Sequence, residues 1–149
     1  MGSSTSCVFC SIIDGSSDAA EVFRDDVVVM FLDIRPLFHG HTLVVPVDHH
    51  ERLADLAPES IDGFFRRVQV LSDVMQDPFG AQGSFVAMNN IVSQSVPHLH
   101  VHVVPRTKGD GLKGFFWPRT KYDDDDQMGT VAAQLGVAFQ TAWTAATEM

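Results

Sequence analysis

The sequence contains little cysteine, few basic residues and no long apolar run. Its two cysteines, Cys7 and Cys10, are too few for a disulfide framework, so we predict a reducing, cytoplasmic compartment. Only 10 basic residues stand against 19 acidic ones, and the resulting net charge of −9 argues against a nucleic-acid polymer as partner. No apolar run approaches the length of a membrane span, so we expect no membrane partner.

Acidic residues are scarce between positions 106 and 121, where Asp110 is the only one. This basic segment carries five of the ten cations, namely Arg106, Lys108, Lys113, Arg119 and Lys121. A short basic segment in an acidic chain suits a small phosphate ligand. Because Phe115, Phe116 and Trp117 are interleaved with the cations, we predict that the segment borders the active site and holds the distal part of a substrate. The alternative is an arm that packs its aromatic rings on the core.

Apolar periodicity predicts a single domain over residues 1–149 with five strands and two helices. The strands are expected at 21–24, 27–32, 42–47, 84–88 and 99–104. A long helix begins at Pro58, whose missing N–H costs nothing in a first turn, and ends at Asp77 and Pro78. Its apolar face consists of Ile61, Phe64, Phe65, Val68, Leu71 and Met75. The order of elements predicts an α+β fold with a mainly antiparallel five-stranded sheet.

The two ends of the chain differ in character. Residues 1–6 are small and polar and are predicted to form a flexible tail. Residues 106–149 are predicted to form the basic segment followed by a C-terminal helix. The run from Asp123 to Asp126 suits the N-terminus of that helix, which favours negative charge. Its buried face is predicted to consist of Met128, Val131, Leu135, Phe139 and Trp143.

Three of the seven histidines, His98, His100 and His102, recur at every second position. Strand side chains alternate between faces, so the three imidazoles should share one face, with Leu99 and Val101 on the other. Three interpretations compete: an exposed polar face, a catalytic metal site, and covalent catalysis by one imidazole that its neighbours orient. An exposed face would normally carry Thr, Lys or Glu.

The surroundings of these histidines favour covalent catalysis on a phosphate. Residues 84–106 contain no carboxylate, which a catalytic metal site would be expected to include. Neutral polar residues and one cation lie there instead: Asn89, Asn90, Gln94, Ser95 and Arg106. Such groups suit phosphate oxygens. A hydrolase that uses the three histidines as metal ligands remains the alternative, and a chelator would distinguish the two.

The stretch from Ser95 to Val104 resembles the His-x-His-x-His-x-x signature of the histidine triad superfamily. Asp33-Ile34-Arg35-Pro36 and the stretch from Gly40 to Pro46 resemble that family's ribose-binding loop and strand. Cys7-Val8-Phe9-Cys10 resembles its amino-terminal element. The resemblance implies the histidine triad fold, a two-fold homodimer, and an enzyme that acts on nucleoside 5′-phosphate derivatives.

The resemblance also implies roles for individual residues. His100 matches the nucleophile that forms a covalent nucleotidyl-histidine intermediate, and His102, His98, His41 and Ser95 match the groups around it. Nucleotide binding is implied for Asp33, Asn89, Gln94, Ser95, His100 and His102. The family's glycine-containing phosphate loop is shortened here to residues 89–94 and lacks glycine. Side chains such as Asn90 and Ser93 are expected to compensate for the missing backbone donors.

A structural zinc site is the only cofactor that the sequence predicts. Cys7 and Cys10 have the spacing of a zinc knuckle but provide only half of a tetrahedral site. The resemblance implies that His49 and His98 complete it, in which case the metal has no part in the chemistry. The alternative is that both cysteines are small buried residues of the core.

These observations predict a nucleotide hydrolase that releases a nucleoside monophosphate from a dinucleoside polyphosphate or a nucleoside phosphoramidate. The basic segment favours the polyphosphate. The alternatives are adenylyl transfer to phosphate and a non-catalytic nucleotide-binding regulatory module. Retention of the three histidines and Ser95 argues against the module. The homodimer is expected to use helix residues off the main apolar stripe, such as Val70 and Val74.

Overall fold

The computed structural model describes residues 6–112 and 119–148. The chain divides into two compact units, Met1–Asp110 and Gly111–Met149, and each is described by itself. The single domain over 1–149 therefore stays a prediction. Outside the described residues lie positions 1–5 of the tail predicted at residues 1–6, as well as Lys113 and the aromatic residues Phe115, Phe116 and Trp117. No described helix is long and apolar enough to cross a membrane.

The first unit is built on a five-stranded sheet in which all neighbouring strands are antiparallel, as predicted. The strands are β1 Glu21–Arg24, β2 Val28–Leu32, β3 Thr42–Pro46, β4 Gly83–Ala87 and β5 Val101–Arg106. Their order in the sheet is β1-β2-β3-β5-β4. Two helices, α1 Val8–Ile13 and α2 Pro58–Val74, cover opposite faces of the sheet, so both faces of β2 and β3 are buried.

The long helix α2 begins at Pro58 as predicted, and α3 Gln76–Phe79 follows it at once. The predicted end of the long helix at Asp77 and Pro78 is therefore wrong, because α2 already ends at Val74 and both residues lie within α3. Proline is tolerated there because it lies in the first turn of α3. Phe64, Val68 and Leu71 are buried in α2, but Ile61 is 42% exposed, so its predicted place on the buried face is wrong.

The alternation of side chains divides the core into two layers. The layer beneath α2 includes Leu99, Val101 and Val103. The layer beneath α1 includes Phe9 and Leu43. Residues of even and odd number in β2 and β3 likewise separate between the layers, as the pleat of a strand requires.

The second unit contains α4 Asp125–Thr147. The predicted start is confirmed, because the Asp124 side chain accepts a hydrogen bond from the Gln127 amide at 2.7 Å, and Asp125 and Asp126 lie in the first turn. The predicted buried face is wrong for the single chain, since the helix buries none of its residues. Its exposed apolar residues include Met128, Val131, Leu135, Phe139 and Trp143.

Candidate active site

The three alternating histidines lie where the chain enters β5. The strand begins at Val101 and not at 99 as predicted, so His98 and His100 precede it and only His102 lies within it. The alternation holds nevertheless, because Leu99 and Val101 are both in the core layer beneath α2. His98 and His100 are 0% and 3% exposed, so the interpretation as an exposed polar face is wrong.

A backbone carbonyl fixes the tautomer of His100. The Nδ1 atom of its ring lies 2.7 Å from the carbonyl oxygen of His98, which can only accept a hydrogen bond. Nδ1 therefore carries the proton, and Nε2 holds the lone pair. The ring packs with its edge toward Phe9, at 5.1 Å between centroids, and faces a cavity. His100 thus presents a fixed, unprotonated nitrogen, which is what a nucleophile requires.

His41 and His102 form a second hydrogen-bonded pair beside it. The backbone N–H of Leu37 donates to Nδ1 of His41 at 3.1 Å, so the proton of this neutral ring is on Nε2. That Nε2–H lies 2.9 Å from Nδ1 of His102 and donates to it. The proton of His102 is consequently on its own Nε2. Burial is the largest cause that lowers the pKa of His41, and it lowers the pKa of His102 to about 4, so both rings are neutral near pH 7.

Asp33 completes a cluster with this pair, its Oδ2 lying 3.6 Å from Nε2 of His41. One carboxylate and two imidazoles within 4.8 Å resemble a metal site. The tautomers do not fit one, however. A cation bound to Nε2 of His41 would displace the only proton of a ring whose other nitrogen accepts the Leu37 amide. The cluster fits a chain of hydrogen bonds in which His41 donates to His102, and the nearby Asp33 carboxylate attracts the proton on Nε2 of His41.

A cavity of about 410 Å³ opens onto His100 and His102, a volume suited to a small molecule. Its polar lining residues are Asp18, Asp33, Arg35, Ser95, His100 and His102. The rest of the lining is apolar and includes Val8, Phe9, Ile12, Phe31, Leu32 and Leu43. The structure therefore brings four of the predicted nucleotide-binding residues to one cavity. Asn89 and Gln94 are not among its lining residues.

The shortened loop at residues 89–94 is held by its own side chains. Gln94 accepts from the Ile91 amide at 2.9 Å and donates to the Glu51 carbonyl at 2.6 Å, and Asn89 donates to the Ser93 carbonyl at 3.2 Å. Ile91 and Ser93 have φ of 71° and 61°, the left-handed region that favours glycine. These bonds hold a strained loop, so nucleotide contacts by Asn89 and Gln94 stay a prediction.

The four predicted zinc ligands converge at the other end of the histidine stretch. Nδ1 of His98 lies 3.5 Å from Sγ of both Cys7 and Cys10 and 3.1 Å from Nδ1 of His49. Cys10 Sγ lies 3.2 Å from the same His49 nitrogen. Ligand atoms around a tetrahedral zinc are about 3.3–3.8 Å apart, so the cluster needs only small adjustments. It can hold a metal ion.

The protonation of His98 agrees with a role as ligand. Its Nε2 lies 2.9 Å from the carbonyl oxygen of Pro46, which can only accept, so the proton is on Nε2 and the Nδ1 lone pair faces the two sulfur atoms. Burial lowers the pKa of this histidine to about 4. The alternative, in which the two cysteines only fill the core, does not account for the convergence of four potential metal-binding atoms.

Sequence reasoning overlooked two kinds of residue. Phe9 packs against the rings of both His98 and His100. In the sequence its only signal was its position between Cys7 and Cys10. The backbone groups of Leu37 and Pro46 fix two tautomers, and no sequence signal identifies a backbone partner. In the basic segment, Arg106 pairs with Asp110 at 2.6 Å and so serves a structural role.

Comparison with known proteins gives consistent matches over most of the chain. A family model described as HIT domain matches residues 14–109. Protein hit of Bacillus subtilis is 39% identical over 121 residues, covering 79% of this chain and 82% of that protein. Adenosine 5′-monophosphoramidase of Candida albicans is 30% identical and covers 91% and 92%. A zinc-bound histidine triad family protein from Mycobacterium smegmatis has a TM-score of 0.69 at 36% identity, covering 89% and 97%.

Proposed function

The chain belongs to the HIT domain family, and from that premise we propose that it hydrolyses a nucleotide at the α-phosphate through a nucleotidyl-His100 intermediate. The observation that carries this proposal is the hydrogen bond from Nδ1–H of His100 to the His98 carbonyl. It leaves Nε2 as the only basic nitrogen of a ring that faces the cavity. A similar protein bears the name of a phosphoramidase, which supports a P–N bond as one target.

The proposed reaction has two steps. The lone pair on Nε2 of His100 attacks phosphorus, and the bond to the leaving group breaks with its electron pair, which takes a proton from solvent. Positive charge develops on the imidazole, so its hydrogen bond to the His98 carbonyl becomes stronger. Water then attacks phosphorus, the P–N bond breaks, and one proton returns to solvent. The products are a nucleoside monophosphate and the protonated leaving group.

The neighbouring histidines act as positioning groups in this scheme. Because His102 accepts from His41, its Nε2–H is left to donate to a phosphate oxygen. Asp33, beside His41, is suited to accept hydrogen bonds from ribose hydroxyls, and Ser95 lines the same cavity. The apolar lining around Phe9 and Phe31 offers faces against which a base can stack.

A structural zinc held by Cys7, Cys10, His49 and His98 is part of the proposal, and no catalytic metal is required. When bound, this metal supplies rigidity to the chain just before the nucleophile. The residues contribute the rest: His98 has its ring in the cluster and its carbonyl on the nucleophile. A cytoplasmic location stays a prediction.

The reaction is tested with a panel of dinucleoside polyphosphates and nucleoside phosphoramidates whose products are resolved, with and without added phosphate. We expect nucleoside monophosphate as product, and acid-quenched enzyme should carry nucleotide on His100. A nucleoside diphosphate formed with phosphate present would favour transfer to phosphate instead of hydrolysis. Binding without turnover of any substrate would favour a regulatory module and would refute the proposed chemistry.

Variants of the basic segment test which leaving group the substrate carries. If it binds distal phosphates, neutralising Lys113, Arg119 and Lys121 together should raise KM for a dinucleoside polyphosphate and leave a phosphoramidate unaffected. Equal losses on both substrates would mean that the segment is structural. Arg106→Gln is the control, because this arginine is already paired with Asp110.

A homodimer through α2 is the proposed assembly. Val70 and Val74 are 47% and 42% exposed and lie in an apolar groove with Val22 and Phe23, which are also exposed. Light scattering at micromolar concentration should give twice the chain mass. Val70→Glu should give the chain mass, whereas Glu59→Gln at the exposed start of the same helix should leave the dimer intact. A wild-type monomer would refute this assembly.

A further inference from the structure

One carboxylate of the cavity is unused by the proposed reaction. Asp18 lines the same cavity as His100 and His102. Asp33, the other acid there, accepts from the Arg35 amide at 2.9 Å and faces His41. The described residues provide neither a hydrogen bond nor an ion pair to the carboxylate of Asp18, which is solvent-exposed.

The backbone holds Asp18 in place on both sides. The amide of Ser17 donates to the Ser11 carbonyl at 3.0 Å, which fixes the turn after α1. The amide of Leu32 donates to the Ala20 carbonyl at 3.0 Å, which attaches the following residues to β2. Asp18 is therefore carried between two elements whose side chains line the apolar part of the cavity. A carboxylate whose backbone is already held on both sides can bind a ligand with little loss of conformational entropy.

We infer that Asp18 makes the base site selective for guanine over adenine, an inference that rests on the proposed nucleotide function. A carboxylate only accepts hydrogen bonds, and it accepts best from two parallel donors. Guanine presents N1–H and the N2 amino group side by side. Adenine presents one amino group next to the N1 lone pair, which a carboxylate repels. Asp18 lines the same cavity as Phe9 and Ile12, so a base that packs on these apolar side chains has this carboxylate within the same site.

The test measures the dissociation constants of GMP, IMP and AMP on the full chain with its metal, by calorimetry. IMP has the N1–H of guanine and lacks the N2 amino group, so it should bind with intermediate strength. We expect GMP to bind about tenfold more tightly than AMP, the value of one or two charged hydrogen bonds that compete with water. In Asp18→Asn the ratio should fall to about one.

Asp14→Asn is the matched control. Asp14 is an equally exposed acid four residues earlier, its carboxylate accepts from the Ser16 amide at 2.8 Å, and it does not line the cavity. This variant should keep the wild-type ratio of GMP to AMP. Because Asp18 and Asp14 are both exposed, both variants should fold, which circular dichroism verifies.

Failure of this inference is distinguishable from failure of the proposed function. Equal binding of GMP and AMP to the wild type, or equal weakening of both in Asp18→Asn, would overturn the selectivity, the latter by pointing to a ribose contact. Turnover of guanosine and adenosine phosphoramidates at equal kcat/KM would overturn it too. A GMP preference that Asp18→Asn removes, in a protein without turnover, would support the selectivity and refute the hydrolase. No binding of any of the three nucleotides would overturn both.

Discussion

Two histidine clusters flank the proposed nucleophile, and both bring their donor atoms within 4.8 Å of one another. One consists of Cys7, Cys10, His49 and His98, and is called here the thiol cluster. The other consists of Asp33, His41 and His102, and is called the carboxylate cluster. By composition each could bind a metal. They differ in where the backbone places the ring protons.

In the thiol cluster Nε2–H of His98 donates to the Pro46 carbonyl, on the side of the ring away from the cysteines. The lone pair on Nδ1 therefore faces the sulfur atoms. In the carboxylate cluster the Leu37 amide occupies Nδ1 of His41, so a proton is directed into the cluster. A lone pair directed inward attracts a cation, and a proton directed inward makes a hydrogen-bonded chain. One backbone group therefore determines the chemistry of each cluster.

The largest effect is expected at His100, between the clusters. His100→Ala should lower kcat on the order of 10⁴-fold, because no other group can form the covalent intermediate. Binding of a nucleoside monophosphate should remain within a few-fold of wild type. Steady-state rates and calorimetry measure both. His39→Ala is the control, since this exposed histidine lies outside the cavity. A near-normal rate in His100→Ala would refute the mechanism.

Metal content tests the difference between the clusters directly. We expect about one zinc per chain in the wild type and almost none in Cys10→Ser, whereas His41→Gln should keep the wild-type content. Elemental analysis of protein purified without chelator gives these values. Two zinc ions per chain, or loss of zinc in His41→Gln, would mean that the carboxylate cluster also binds metal and would remove the proposed distinction.

A smaller effect is expected from the link between the thiol cluster and the nucleophile. His49→Gln leaves His100 intact but loosens His98, whose carbonyl orients the His100 ring. Loss of such an orienting interaction typically costs about 10-fold, so kcat should fall by that amount while KM changes little. A change confined to KM would place the effect in substrate binding. His50→Gln, at a neighbouring histidine outside the cluster, should behave as wild type.

The smallest effect is a pH dependence of stability in the carboxylate cluster. The pKa values of His41 and His102 are lower in the folded chain than the usual 6.5, chiefly because of burial. The unfolded chain therefore binds more protons, so stability is complete above about pH 6.5 and is lost as pH falls toward 4. Urea unfolding from pH 7.5 to 4.5, in a Cys10→Ser background without the metal, measures this. His98, whose pKa burial also lowers to about 4, contributes to the slope in this background. Adding His102→Asn should therefore remove part of the slope, and an unchanged slope would contradict the prediction.

Much of the fold could be predicted because its signals are local. The alternation of imidazole and apolar side chains from His98 to Val103 placed the histidines on the face opposite the core layer beneath α2, although the strand itself begins at Val101. Pro58 and the run from Asp123 to Asp126 likewise marked helix starts from a few neighbouring residues. The pattern of α4 predicted a helix correctly and a buried face wrongly, because periodicity records which face is apolar and not whether anything covers it.

The sequence by itself determined the five strands, the starts of α2 and α4, the shared face of the three histidines and the set of residues available for chemistry, because these depend on side-chain type and spacing. Only the tertiary structure decided on which nitrogen each histidine carries its proton, and therefore which imidazole is suited to bind a metal, to attack phosphorus or to transmit a hydrogen bond. Those roles depend on the Pro46 carbonyl, the Leu37 amide and the His98 carbonyl. Every residue has a backbone carbonyl, and every residue except proline has a backbone N–H. No sequence pattern therefore reveals which of these groups will contact an imidazole.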